Sequence, residues 1–178
     1  MSTSEKPPAK RSKASKPARK QAAGAKPKAK AKPAPRRVAI PRAALRIVEG
    51  AAETAWPREC CGLLVGVREG AAIAITRAHP SPNRARDPRV AFEIDPEIWL
   101  RLTRTLGDGP EAVIGLYHSH PDGPAEPSPR DLAAAWGPDL VWLVTGVARG
   151  KPAKTAAFTL SEVDGKRQFV ATPLVLQG

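Results

Sequence analysis

Two of the chain's three histidines, His118 and His120, stand two residues apart in the stretch "HSHPDGPAEPSPRD" over residues 118–131. Side chains at positions i and i+2 of a β-strand point to the same face, so the two imidazoles would project together. Two imidazoles on one face can converge on a single metal ion. Asp131, in the first turn of a following helix, can supply the third protein ligand that a catalytic zinc site requires. The stretch is therefore a candidate metal site.

The same stretch also has a purely structural interpretation. Ser128, followed by Pro129 and by the acid Asp131, is typical of a helix start, where the serine caps the helix and the acid faces the positive end of its dipole. Two polar histidines at a strand end are also compatible with simple exposure to solvent. The residues of this stretch alone leave a metal site and a capped helix start both open.

Hydrophobic periodicity predicts the elements that must position these residues. Leu45, Val48 and Ala52 fall on one face of a helix over residues 41–56, which has Pro41 in its first turn and leads into the folded part. A second helix begins at Asp95-Pro96 and ends near Leu106, and a third begins at Ser128. Strands are predicted over residues 61–67, 71–78, 90–94, 112–120 and 140–147, and a final hairpin over residues 156–176 turns at Asp164-Gly165-Lys166.

Helices and strands interleave, yet several strands follow one another directly. This order predicts an α/β protein of the α+β type, with a mixed central β-sheet flanked by helices, rather than a doubly wound parallel sheet. Among the larger side chains, we expect Trp99, Trp136 and Trp142 in the core, Trp56 half exposed before a proline, and His79 in a loop.

Charge divides the chain into two parts. Residues 1–37 hold 13 of the 29 Lys and Arg but only one acid, Glu5, whereas residues 38–178 balance 16 basic against 16 acidic residues. From Lys6 onward the basic part is rich in Lys, Ala and Pro and has no aliphatic side chain larger than alanine. We therefore expect a disordered tail over residues 1–37 and one folded domain over residues 38–178.

The basic tail has two possible roles. It can act as a solubilising segment without a particular partner, or it can attract nucleic acid through counterion release at the phosphates, or another acidic partner, without specificity. No aromatic residue lies within it to stack on bases, so sequence-specific binding is not expected.

The cysteines and the apolar runs set the expected compartment. Cys60 and Cys61 are adjacent and poorly placed to bridge each other, which favours a reducing, cytoplasmic setting; we expect at least one of them in the core. No run approaches the roughly 18 apolar residues that span a bilayer, and the first residues lack the apolar segment of a secretory signal. We therefore expect no membrane partner.

The joint pattern of these residues resembles the signature of the JAMM metallopeptidases, also called JAB or MPN domains. His-x-His is followed directly by Pro121, and after seven residues in all by Ser-x-x-Asp, as in that signature. Upstream, "PRECCGLLVG" supplies Glu59 in a form similar to the small stand-alone bacterial members. The segments "NRARDPRVAFEIDP" and "DGKRQFVATPLV" are also similar to that branch, so the resemblance covers about residues 40–176.

The resemblance implies a fold of the JAMM type and a role for each matching position. His118, His120 and Asp131 would bind one Zn²⁺ ion. Glu59, which without the downstream motif would be interpreted as an exposed acid after the Trp56-Pro57 turn, would accept a proton from the attacking water and deliver it to the leaving amine. Ser128 would donate a hydrogen bond to the oxyanion of the tetrahedral intermediate.

The resemblance also implies a substrate class. Members of the family hydrolyse a peptide or isopeptide bond after the C-terminal Gly-Gly of a ubiquitin-like or sulfur-carrier protein. An extended tail would lie along a sheet edge, and we expect its groove at residues 79–91, around Asn83, Arg86 and Arg89. Trp136 stands directly before the strand at Leu140, which leaves no room for the insertion of large eukaryotic members, so linkage selectivity is not expected. The alternative is a non-catalytic JAMM-like scaffold, or a nucleic-acid-associated protein that acts through its tail.

Overall fold

The computed structural model of the protein describes Met1, residues 37–137 and residues 139–177. The basic tail predicted over residues 1–37 lies outside the described residues, apart from Met1 and Arg37. In the described part, strands and helices follow one another in the order β1 (Arg37–Pro41), α1 (Arg42–Ala55), β2 (Cys61–Glu69), β3 (Ala72–Ser81), α2 (Pro96–Leu106), β4 (Ala112–Pro121), α3 (Pro129–Ala134), β5 (Val141–Ala148), β6 (Lys151–Val163), β7 (Lys166–Thr172) and β8 (Leu174–Gln177). None of the described helices is long and apolar enough to span a membrane.

All the described strands belong to one mixed sheet, in the order β7-β6-β5-β4-β2-β3-β1-β8. The pairs β1 with β3, β1 with β8 and β4 with β5 are parallel, and the remaining pairs are antiparallel. Helices pack on this sheet, so the predicted α+β fold with a mixed central sheet is confirmed. The strand that carries the two histidines, β4, lies in the interior of the sheet between β2 and β5.

The sheet is strongly curled. Its two edge strands, β7 and β8, are separated in the chain only by Pro173. A flat sheet of this size would hold its edges roughly 34 Å apart at about 4.8 Å per strand, whereas the Cα atoms on either side of one residue are at most about 7 Å apart. The edges must therefore approach each other at Pro173, whose carbonyl accepts a hydrogen bond of 2.8 Å from the backbone N–H of Val38.

Two hydrophobic clusters cover the two faces of the sheet. Side chains alternate along a strand, so neighbours such as Leu116 and Tyr117 on β4 contribute to different clusters. Buried residues of α1 pack on the Tyr117 face, while α2 and α3 pack on the Leu116 face through partly buried residues that include Trp99 and Leu132. The middle of β4 is thus buried from both sides, which gives the two histidines at its end a packed base.

The chain enters this fold through a strand, so the expectation that a helix leads into it is wrong. Val38 and Ile40 are fully buried and place β1 inside the sheet, between β3 and β8. Helix α1 begins only at Arg42, with Pro41 as its N-cap and with Ala44, Val48 and Ala52 as its buried residues. Both partners of β1 are distant in sequence, which explains why local periodicity does not indicate it.

The final segment also differs from the expected hairpin. Strands β6 and β7 do form a hairpin, with the turn at the predicted Asp164-Gly165. After Pro173, however, the chain continues as β8, which pairs with β1 at the opposite edge. Proline lacks the backbone N–H that a continued strand would need, and the curl of the sheet places the other edge within reach.

Two local predictions around the second strand pair are wrong. The segment 90–94, predicted as a strand, makes only an isolated bridge between Ile94 and Asn83. The N–H of Glu93 donates to the side chain of Asn83 and is therefore not available for a strand ladder. His79 lies within β3 and not in a loop, because pairing with β2 extends that strand to Ser81.

The tryptophans and cysteines divide between core and surface. Trp142 is buried, and Trp56 is 40% exposed, both as predicted. Trp136 is 49% exposed and is therefore not a core residue; it contacts Trp99 edge to face at a centroid distance of 4.8 Å. Cys60 and Cys61 are both buried and free, in agreement with a core position.

Candidate metal centre

The structure brings His118, His120 and Asp131 together at the end of β4. The two Nε2 atoms are 3.1 Å apart. One Asp131 oxygen lies 3.4 Å from Nε2 of His118, and the other lies 3.3 Å from Nε2 of His120. One ligand atom from each residue can be chosen so that all three lie within 4.8 Å of one another. Both the strand period and the helix start predicted from the sequence contribute to this cluster.

Helix α3 presents Asp131 through a capping box. The Ser128 hydroxyl accepts a hydrogen bond from the Asp131 backbone N–H (3.2 Å), and the Ser128 N–H donates to Asp131 Oδ2 (2.6 Å). The same carboxylate faces both histidines, so capping and metal binding do not compete. The turn that starts the helix also orients the third candidate ligand.

Contacts behind the two imidazoles fix their orientation. Nδ1 of His120 lies 3.1 Å from the carbonyl oxygen of Pro124. A carbonyl can only accept, so Nδ1 carries the proton and Nε2 keeps a lone pair for a metal ion. The ring of His118 is stacked on Phe92 at 4.3 Å, with 19° between the planes, and meets Trp142 edge to face. The ring of His118 is therefore held by packing.

Glu59 lies in the short link between α1 and β2, beside the cluster, and is only 7% exposed. Its backbone N–H donates to the carbonyl of Pro88 (2.6 Å), and its carbonyl accepts from the side-chain amide of Asn83 (3.0 Å). The next residue, Cys60, exchanges two hydrogen bonds with Ser119, which stands between the two histidines on β4. These contacts tie the glutamate's backbone directly to the strand that carries the imidazoles.

The charges of the site perturb one another strongly. Burial raises the pKa of Glu59 to about 7, against the opposing attraction of His120. Burial also acts to raise the pKa of Asp131, but its hydrogen bonds with His118 and His120 outweigh that effect and hold it well below its usual range. Burial lowers the pKa of His118, which favours the neutral imidazole that a metal ion needs.

This donor set fits zinc. Two histidines and one carboxylate are a known ligand combination for catalytic zinc, with bonds of about 2.0–2.1 Å to nitrogen. Tetrahedral ligands at that bond length are about 3.3 Å apart, and the separations found here are 3.1, 3.3 and 3.4 Å. One Glu59 oxygen, Oε2, is buried without a hydrogen-bond partner among the described residues, so it can serve a water molecule at the site.

A cavity of about 530 Å³ opens beside Glu59. One wall is formed by residues of α1, among them Ile47, Gly50, Ala51 and Thr54, and the other by the ends of β2 and β3 and by Pro88. Of the three residues expected around the groove, Asn83 lines this cavity, whereas Arg86 and Arg89 are exposed residues outside its lining.

Three supporting residues escaped the sequence analysis. Ser119, Phe92 and Pro124 contact Cys60, His118 and His120 respectively. Strand alternation places Ser119 opposite the histidines but does not identify its partner. Phe92 and Pro124 lie in irregular segments, where no periodic signal indicates a contact.

Comparison with known proteins finds one family and several individual relatives. The family model described as prokaryotic homologs of the JAB domain matches residues 41–161. A desampylase from Haloferax volcanii is 40% identical over 88 residues, which are 49% of this chain and 62% of that protein. A probable TtuB-protein conjugate cleaving protease from Thermus thermophilus is 39% identical over 79 residues, 44% of this chain and 50% of that protein.

A third relative and one solved structure extend the comparison. The CysO-cysteine peptidase of Mycobacterium tuberculosis is 33% identical over 88 residues, 49% of this chain and 58% of that protein. In these three comparisons the chain thus spans between half and about three fifths of the relative's length. The solution structure of a protein from Desulfitobacterium hafniense superposes with a TM-score of 0.66 at 26% identity, over 79% of this chain and 92% of that one.

Proposed function

Because the chain belongs to the prokaryotic JAB-domain family, we propose that it is a zinc-dependent metallopeptidase of the JAMM type. Its substrate would be a ubiquitin-like or sulfur-carrier protein, cleaved at the peptide or isopeptide bond that follows its C-terminal Gly-Gly. The names of relatives that act on TtuB conjugates and on CysO-cysteine support this substrate class. The observation that carries the proposal is the buried carboxylate of Glu59 beside a cluster of two histidines and one aspartate.

In this proposal His118, His120 and Asp131 hold one Zn²⁺ ion. When bound, zinc supplies a Lewis acid and lowers the pKa of a water molecule from 15.7 to about 7. The protein provides two nitrogen lone pairs and one carboxylate, oriented by Pro124, Phe92 and the α3 capping box. The ligands are thus in place before substrate arrives.

Glu59 acts as the general base and then as the general acid. Proton transfer is most effective when the pKa of the catalytic group is near the working pH, and burial raises the pKa of Glu59 to about 7. The carboxylate accepts a proton from the attacking water and passes it to the nitrogen of the leaving amine. Without this proton the amine would be a poor leaving group.

Ser128 stabilises the oxyanion. Its hydroxyl oxygen accepts from the Asp131 N–H, which leaves the hydroxyl proton free to be donated. A donor aimed at the carbonyl oxygen as it becomes negatively charged lowers the barrier more than it stabilises the bound substrate. Ser128 therefore both caps α3 and takes part in the reaction.

The cavity beside Glu59 suits an extended tail without bulky side chains. Gly50 and Ala51 of α1 project little into it, so a Gly-Gly segment can pass close to the helix. Only three residues separate Trp136 from Leu140, and no insertion stands there to recognise a second ubiquitin-like unit. We expect the enzyme to recognise the carrier and its tail rather than a particular linkage.

The test is incubation of the zinc-loaded protein with carriers of the β-grasp type extended past Gly-Gly, followed by intact-mass measurement. We expect loss of the extension. Glu59→Gln should reduce cleavage at least about 100-fold while the zinc content stays the same. The double variant His118→Ala/His120→Ala should lose the metal. Full activity of Glu59→Gln would contradict the mechanism, and wild-type protein that never binds stoichiometric zinc would contradict the whole proposal.

The remaining proposals concern the whole chain. Residues 1–37 would form a separate basic unit that attracts nucleic acid without sequence specificity, and residues 38–178 would form the catalytic domain. The concentration of positive charge before residue 38 supports this division. Two free, buried thiols are consistent with a reducing, cytoplasmic setting.

A further inference from the structure

The side chain of Asn83 joins Glu59 to the segment of residues 82–95, which covers the metal-site side of the sheet. Its amide nitrogen donates to the carbonyls of Glu59 (3.0 Å) and Ala91 (2.9 Å). Its amide oxygen accepts from the N–H groups of Ala85 (3.0 Å) and Glu93 (3.0 Å). One side chain thus makes four hydrogen bonds to the backbone at four positions.

These bonds use the full capacity of the amide. Asparagine offers two N–H donors and two acceptor positions on its oxygen, and each has a partner here. Although Asn83 lines the cavity, it has no hydrogen-bonding group left for a substrate. Its contribution must therefore pass through the groups that it holds.

The group of greatest consequence is the backbone of Glu59. Strand β2 begins at Cys61, so Glu59 lies outside the regular ladder and depends on other contacts for its orientation. Residues 82–95 bond both of its backbone polar groups: Asn83 holds the carbonyl and Pro88 accepts from the N–H. The same segment carries Phe92, which stacks on His118, so the base and one candidate ligand share a support.

We propose that Asn83 is a positioning residue for Glu59: by bonding the Glu59 carbonyl and shaping residues 82–95, it sets the direction of the catalytic carboxylate without contacting substrate. The inference rests on the proposed role of Glu59 as general base. A misplacement of about 1 Å in a reacting group can cost about 100-fold in rate. The effect of Asn83 should therefore fall on kcat and leave KM and the zinc content nearly unchanged.

The substitution Asn83→Asp isolates the contact. The aspartate retains an oxygen that can accept from Ala85 and Glu93, but the donor is replaced by a second oxygen that faces the carbonyls of Glu59 and Ala91. Arg84→Gln is the matched control: Arg84 does not line the cavity beside Glu59, and the change breaks the Arg84–Asp95 ion pair (2.8 Å) of the same segment without removing a bond to Glu59. Asn83→Ser, which keeps a smaller donor, provides a milder variant should Asn83→Asp fold poorly.

Two measurements are made on each full-length, zinc-loaded variant: steady-state cleavage of the extended carrier, and hydrogen exchange of the Glu59 backbone amide. For Asn83→Asp we expect kcat to fall about 10- to 100-fold, KM to stay within about twofold, and exchange at Glu59 to accelerate. Asn83→Ser should fall between Asn83→Asp and wild type. Arg84→Gln should keep kcat within about twofold and leave exchange at Glu59 unchanged, even if its thermal midpoint drops.

Three results would overturn the inference: an increase in KM with kcat unchanged, unaltered exchange at Glu59 in both Asn83 variants, or equal losses of kcat in Arg84→Gln and Asn83→Asp. Failure of the proposed function itself gives a different result. If zinc-loaded wild-type protein cleaves no carrier, the peptidase assignment falls. In that case only the hydrogen exchange of the Glu59 backbone amide tests whether Asn83 holds the Glu59 backbone.

Discussion

At the scale of single residues, the cost of burying Glu59 makes the stability of the metal-free protein depend on pH. The ordinary pKa of a glutamate is 4.5, whereas in the folded protein burial raises that of Glu59 to about 7. Between these values the folded state binds more protons than the unfolded state. The free energy of unfolding contributed by this group is therefore fully present below pH 4.5 and is lost as the pH rises through 7.

Glu59→Gln should remove this dependence, because the amide cannot ionise. In the presence of a chelator, we expect the variant to gain about 2 kcal/mol relative to wild type between pH 5 and pH 8. Urea unfolding at the two pH values measures the difference. Glu69→Gln, at the exposed far end of β2, controls for the change in charge. Parallel pH profiles for wild type and Glu59→Gln would show that Glu59 is not buried in the way described.

The candidate ligands could be predicted from the sequence because each depends on a local rule. The period of a strand aligns His118 with His120, and the helix-start pattern brings Asp131 into the first turn. Glu59 has no such local signal and was identified only through the family resemblance. Its fixation by Asn83 and Pro88 could not be predicted, since hydrogen bonds between irregular segments distant in sequence leave no periodic trace.

At the scale of elements, α3 depends on its cap. It is six residues long, and a helix this short gains little from its own backbone hydrogen bonds. Ser128 and Asp131 satisfy two of the N–H groups at its start, so loss of the serine hydroxyl should both loosen the helix and displace the aspartate.

Ser128→Ala should lower the free energy of unfolding by about 1 kcal/mol, because α3 loses its cap. If the hydroxyl also stabilises the oxyanion, kcat should fall about 100-fold, which is more than the lost stability alone would cause. Ser128→Thr, which keeps a capping hydroxyl, should restore most of the stability. Chemical denaturation and steady-state kinetics on the three proteins separate the two roles. An equal kcat for wild type and Ser128→Ala would show that the serine caps the helix and does not stabilise the oxyanion.

Among the elements, those with local signals agree best with the sequence. Asp95 and Pro96 predict the start of α2, and in the structure the Asp95 side chain accepts from the Glu97 N–H. Strands β1 and β8 are short, and their partners are distant in sequence: β1 pairs with β3 and β8, and β8 pairs with β1, so no local signal indicates either strand. Trp136 was predicted in the core because large aromatic side chains are usually buried, but it lies in the link between α3 and β5 and is 49% exposed.

At the scale of the whole molecule, charge and chemistry occupy different parts of the chain. The proposed site residues lie between positions 59 and 131, whereas the excess positive charge lies before position 38. If the two parts act independently, each can be removed or altered without loss of the other.

Deletion of residues 2–36 should leave zinc content and carrier cleavage within about twofold of wild type. The full chain should bind duplex DNA with an affinity that falls about 1,000-fold or more between 50 and 200 mM salt, and the truncated chain should lose this binding. Fluorescence anisotropy across a salt series measures both proteins. Binding that survives truncation, or that is insensitive to salt, would assign the contact to the folded part instead.

The pairing of β1 with β8 has a consequence for how this protein is made. On the ribosome, every proposed catalytic and metal-binding residue is synthesised before Leu174, yet β1 must wait for that last strand to gain its second neighbour. A nascent chain that already contains the whole site thus still lacks the strand that covers the free edge of β1, and an unpaired edge of this kind favours association with other chains. Co-translational aggregation, rather than loss of chemistry, is the hazard that this topology creates.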